Sequence, residues 1–173
     1  MRHAISVLLE NEVGALTRLT GMFSSRGYNI ETLNVAPTYD SRVSRVTLVV
    51  SGSDSAIAQL NAQLAKLVDV VNIHDMTLGE HFERELCIVK LKLATGGLAT
   101  ALAFAKKHGA EILDDAQVSC TIQLTGRVGE VDAFVADAAD VGELSAVARS
   151  GSVAVSKGEV TLSSFDAHHH LSG

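Results

Sequence analysis

The stretch Leu8-Leu9-Glu10-Asn11-Glu12-Val13-Gly14-Ala15-Leu16 decides the fold. Upstream of it, Ile5, Val7 and Leu9 recur at every second position, the period of a β-strand. Downstream the period lengthens: Leu16, Leu19, Thr20 and Phe23 share one helical face, and Gly27 supplies a C′ stop. Asn11 and Gly14 sit where strand gives way to helix. Working outward, Ile30 to Ala36 reads as a second strand, closed by Pro37, the only proline. Val43 to Ser51 alternates Val46, Leu48 and Val50 against Arg45 and Thr47, which predicts a third strand. Ser53-Asp54-Ser55 is a helix start, and Ile57, Leu60, Leu64 and Leu67 mark the buried face behind it. Val68 to Leu78 supplies a fourth strand. The order is β-α-β-β-α-β, a ferredoxin-like unit.

The second half repeats that order. Cys87, Val89, Leu91 and Leu93 alternate with Lys90 and Lys92. Leu98, Ala101, Leu102 and Ala105 give a helix face ending near Gly109. Ala110 to Leu113 and Val118 to Leu124 predict a hairpin around Asp114-Asp115. Val131, Phe134, Val135 and Ala138 give a second helix, and Leu144 to Arg149 a last strand. The chain therefore reads as α+β, with two ferredoxin-like domains in tandem: residues 1–79, then 80–162, divided at the polar run Gly79-Glu80-His81-Phe82-Glu83-Arg84. Residues 163–173, with His168-His169-His170, read as a flexible tail. Each unit has ~80 residues, near the lower limit for a self-sufficient core. Small sheets with open edges favour a homodimer formed by edge pairing.

Composition narrows the function. Of 173 residues, 47% are hydrophobic and 20% charged, enough to fill a core. Aromatics make up 4% with no Trp, so stacking platforms for nucleic acid are not expected. The net charge is −6, with six basic against eight acidic residues in 1–80 and eight against twelve in 81–173. Neither half carries a basic footprint for phosphates, so no nucleic-acid partner is expected. No apolar run approaches a membrane span, and the N-terminus lacks a secretory h-region; a cytoplasmic protein is expected. Cys87 and Cys120 fall in strand-like apolar runs and read as reduced core residues.

The loop after the first strand carries the chemistry. A helix N-terminus offers unpaired N–H groups and a positive dipole end, suited to a carboxylate. Gly14 lets a ligand approach the backbone, and Asn11 both donates and accepts hydrogen bonds. A zwitterionic amino acid needs that mixture plus an apolar wall. A plain strand-to-helix turn explains the same two residues, because Asn and Gly are the commonest turn formers. Asn29, before the second strand, lies at the opposite end of the helix in this topology. It reaches Asn11 and Gly14 only from a neighbouring protomer.

Residues 1–78 resemble an ACT domain, a small-ligand sensor fold. Leu8 through Leu16, Arg26-Gly27-Tyr28-Asn29-Ile30-Glu31 and Val35-Ala36-Pro37-Thr38 resemble, in register, the small regulatory subunits of acetolactate synthase (acetohydroxyacid synthase). Ser44-Arg45, Lys66-Leu67-Val68-Asp69-Val70 and Glu83-Arg84-Glu85-Leu86 through Val89-Lys90 match as well. The resemblance implies a non-catalytic chain that dimerises through its ACT domains. It implies valine, or another branched-chain amino acid, bound near Asn11, Gly14, Ala15, Leu16, Asn29 and Ile30. It further implies activation and feedback inhibition of a separate catalytic large subunit, which would hold the thiamine diphosphate, Mg²⁺ and FAD; no cofactor is expected on this chain. The second half resembles the family less closely, through Glu111-Ile112-Leu113-Asp114, Gln123-Leu124-Thr125-Gly126, Asp132-Ala133-Phe134 and Ala148-Arg149-Ser150-Gly151. Residues 94–108 depart from the family's usual charged helix. That domain also resembles the ligand-binding domain of a nickel-responsive repressor. However, His74, His81 and His108 show no close-spaced metal set, and no metal site is expected.

Two other classes compete. An enzyme in its own right would need a nucleophile–base pair, a P-loop or a paired-carboxylate cleft, and the sequence offers none. An ACT-type sensor for a different enzyme, or for transcription, is the nearer alternative; a DNA-reading form would need a basic helix or helix-turn-helix, which is absent.

Overall fold

In the computed structural model, which describes residues 1–162, the first strand is β1 (Arg2–Glu10). Gly14 adopts φ +85°, a left-handed turn open chiefly to glycine, and α1 (Ala15–Ser25) starts directly behind it. Ala15, Leu19 and Phe23 form its buried face, and Gly27, at φ +75°, stops the helix as the spacing predicts. The remainder of the unit is β2 (Ile30–Pro37), β3 (Val43–Ser51), α2 (Asp54–Leu64) and β4 (Val70–Asp75). Ser53 caps α2 by accepting the Ala56 N–H, 3.3 Å away. A single 3₁₀ turn, Met76–Leu78, replaces the end of the strand expected to run to residue 78.

The four strands lie in the order β2-β3-β1-β4, with every pairing antiparallel. Ile5, Val7, Leu9, Val46, Leu48 and Val50 point to the helices and pack on Leu19, Phe23, Ile57, Leu60 and Leu64. The opposite face holds Ala4 and Val49.

The second unit runs through β5 (His81–Lys92), α3 (Leu98–His108), β6 (Glu111–Ala116), β7 (Ser119–Gly126), α4 (Val128–Ala138) and β8 (Glu143–Arg149), with strand order β6-β7-β5-β8. Its core gathers Cys87, Val89, Leu91, Cys120, Ile122, Val131 and Phe134. Phe104 stacks on Phe134 with ring centroids 5.1 Å apart. The structure is thus the α+β pair of ferredoxin-like domains expected from the pattern.

Several local expectations shift. Leu102 was expected on the buried face of α3, yet it is 36% exposed while Phe104 is 6% exposed. Leu102 lies at one margin of the stripe set by Ala101 and Ala105, and Phe104, at the opposite margin, is the one that stacks on Phe134 in the core. Asp114 and Asp115 are in β6, and the hairpin turns at Gln117-Val118, because a register shift between Ile112 and Asp114 carries the strand past the aspartates. The polar run at the expected domain boundary is mostly strand, from His81 onward. A further short strand, β9 (Val153–Ser156), pairs with β5.

The chain forms two compact units: Met1–Phe82 together with Ser152 onward, and Glu83–Gly151. β9 belongs to the first. Ala154 packs with Ala4, Val49 and Met76, and its carbonyl accepts from Arg45 Nη2 at 2.9 Å. The tail expected over 163–173 lies outside the described residues.

Candidate functional site

The β1–α1 loop is fastened at three points. The Asn11 N–H donates to the Arg42 carbonyl at 2.8 Å, and its side-chain amide donates to the Ser41 carbonyl at 3.0 Å. Asn11 is thereby tied to the turn between β2 and β3. Its Oδ1 makes no hydrogen bond among the described residues and is free to accept from a ligand. The third tie is from Glu10 N–H to the Asp69 carbonyl at 2.8 Å.

Gly14 ends the loop as the N-cap of α1 and contributes no side-chain cap. The Ala15 N–H is weakly engaged by the Glu12 carbonyl at 3.2 Å, while Arg18 N–H closes the first helical bond to Gly14 at 3.0 Å. The N–H groups of Leu16 and Thr17 have no partner among the described residues. Ala15 is buried, Leu16 half-buried and Val13 fully exposed. This arrangement offers donors at the helix start, an acceptor at Asn11 and a small apolar floor, matching the needs of a zwitterion with an aliphatic side chain.

Sequence reasoning missed two charged residues here. Arg18 donates through Nε and Nη2 to both oxygens of Asp69, at 2.6 and 2.8 Å. The Asp69 side chain is 4% exposed and that of Arg18 is 48% exposed. This bidentate bond holds the Asp69 carboxyl below the usual carboxylate range and raises the Arg18 guanidinium. The carboxylates of Glu10, Glu12 and Asp69 lie within 4.8 Å of one another beside it. A signal for Arg18 was present: a cation in the first turn of a helix opposes the macrodipole and calls for a local anion.

Asn11, Gly14, Ala15 and Leu16 share one end of the sheet. Asn29 and Ile30 do not join them. Glu10 is opposite Val43 on β3, whereas Ile30 is opposite Val50. Seven strand residues separate those levels, ~23 Å at the usual rise. Asn29 is exposed and Ile30 half-buried at that far end.

Similarity to known proteins follows the same division. A family model described as an AHAS small subunit-like ACT domain matches residues 5–72, and one described as small subunit of acetolactate synthase matches residues 84–158. The acetolactate synthase isozyme 3 small subunit of Escherichia coli (strain K12) is 43% identical over 159 residues, spanning 92% of this chain and 98% of that one. The acetolactate synthase small subunit of Haemophilus influenzae is 42% identical over 162 residues, 94% and 99% of the two chains. The crystal structure of the acetolactate synthase small subunit from Thermotoga maritima superposes with TM-score 0.83 at 26% identity, covering 92% of this chain and 99% of that one. This chain belongs to the acetolactate synthase small-subunit family.

Proposed function

We propose that the chain is the regulatory subunit of an acetolactate synthase, a homodimer that binds valine between protomers, activates a catalytic large subunit and makes it subject to feedback inhibition. The observation that carries this reading is the separation of Asn11 from Asn29 together with the open edge at β2. β2 pairs only with β3 among the described residues. On its helix-facing side Leu33 and Val35 remain 37% and 40% exposed, although their partners Leu48 and Val46 are fully buried.

A two-fold axis pairs a strand with its own copy antiparallel. If β2 pairs over its full length, Ile30 of one protomer faces Pro37 of the other, and Asn29 comes beside Thr38. Thr38 stands at the base of the β2–β3 turn, bonded to Val43, and that same turn receives the amide of Asn11. One geometric operation thereby covers the exposed Leu33 and Val35 and completes a site with Asn29 of the partner. Binding across such an interface couples occupancy to assembly, and through assembly to the large subunit. The thiamine diphosphate, Mg²⁺ and FAD of the reaction would reside on that large subunit.

The test is reconstitution. Adding the chain to its large subunit should raise acetolactate formation several-fold, and valine should reverse the gain in a saturable manner. No stimulation sinks the regulatory reading. Stimulation that valine, leucine and isoleucine leave untouched sinks the effector assignment alone.

A further inference from the structure

We propose that Arg18 is the carboxylate anchor of the effector site, with Asp69 as the residue that positions it. The inference rests on the reading above, that a small amino acid binds at the β1–α1 loop. It adds the group that receives the ligand's charge.

Nε and Nη2 of Arg18 are both committed to Asp69, which fixes the plane of the guanidinium. Nη1 makes no hydrogen bond among the described residues. It lies against the bare Cα of Gly14: a Cβ built there would stand 2.8 Å from it. The missing side chain at position 14 therefore leaves a guanidinium N–H uncovered at Gly14, the N-cap of α1. An arginine serving only to neutralise Asp69 could be buried with it, yet its side chain is 48% exposed against 4% for Asp69.

The first turn of α1 carries no acidic residue, so Arg18 meets the positive end of the helix with Asp69 as its hydrogen-bonded counter-ion. The carboxylates of Glu10 and Glu12 stand within 4.8 Å of that of Asp69, so net charge does not draw a further anion here. A ligand carboxylate would be held through directed hydrogen bonds, from Nη1 and from the start of the helix, while the acidic group and Asn11 Oδ1 serve the ammonium.

The experiment is calorimetric titration of the full-length dimer with L-valine and with L-valinamide, which lacks the carboxylate, for the parent, Arg18→Lys and Arg18→Gln. Lysine keeps the charge and a bond to Asp69 but loses the second prong of the fork. We expect Arg18→Lys to weaken valine roughly tenfold and Arg18→Gln more, as for lost charge-assisted hydrogen bonds. Valinamide should bind Arg18→Lys as it binds the parent, or bind neither. Melting curves report whether each variant folds, and Arg18→Lys decides if Arg18→Gln does not. A parent that takes up no valine overturns the site reading itself. A parent that binds valine while Arg18→Lys binds it equally well overturns this inference alone, as does an equal loss for valine and valinamide.

Discussion

At position 14 two separate demands meet in one missing side chain. The backbone at φ +85° disfavours any L side chain, and a Cβ would displace the tip of Arg18. The tip of a long side chain can move, so the steric demand is soft and a substitution at Gly14 should fold. The electrostatic demand is harder. A carboxylate placed at 14 by Gly14→Asp would lie within reach of Nη1 and take the position proposed for the ligand's own carboxylate. Gly14→Asp should therefore lose valine inhibition while still activating the large subunit, with a folding cost of about 1–2 kcal/mol from the left-handed backbone. Gly14→Ala carries the same backbone cost without the charge and should shift the valine response only in part. Inhibition curves for the two variants separate the demands: equal insensitivity would leave steric blockage as the whole explanation.

At the scale of elements, the argument turns on which end of β2 holds Asn29. Suppose Gly14→Asp and Asn29→His are expressed together and the mixed dimer is purified. In a site shared between protomers, one of its two sites collects both substitutions and the other collects neither. The mixed dimer should then bind valine at half the parental stoichiometry, although each variant alone binds weakly. A site contained within one chain gives no such recovery, and titration of the mixed dimer decides between them. The split itself was legible in the sequence, because Asn11 and Asn29 flank a single helix of known length. The four-residue cluster Asn11, Gly14, Ala15 and Leu16 was legible too, since it is contiguous. Arg18–Asp69 was not: a bond between residues 51 apart depends on how the turn before β4 returns to the end of β1, and no local period encodes that. β9 was missed for a related reason. Four residues of alternating valine and small side chains are too short to register as a strand, and Ala154 is buried only because Ala4, Val49 and Met76 offer it a surface.

For the whole molecule, two small units must each sustain a core, and the cysteines report on one of them. Cys87 on β5 and Cys120 on β7 are free and fully buried in the core of the second unit. Burial raises both thiols above their ordinary range, so neither offers a reactive thiolate in the folded state. A thiol reagent at neutral pH should then label nothing in the native protein and both cysteines once this unit opens. The two residues sit opposite Leu124 and Leu91 on paired strands, and a cooperative core exposes them together. Their labelling rates should therefore be equal. Phe134→Leu, which thins the stacked Phe104–Phe134 pair at the centre of that core, should cost on the order of 1–3 kcal/mol. At about 1.4 kcal/mol per decade, the opening population and both labelling rates rise roughly fivefold to a hundredfold. If Cys120 labels ahead of Cys87, the β6–β7 hairpin opens separately from the central strand, and the second unit is not one cooperative body. The Arg149 fork onto buried Glu85 and onto Asp132 ties β5, β8 and α4 together, whereas among the described residues β6 pairs with no strand but β7. That hairpin is where a departure from equal rates would begin.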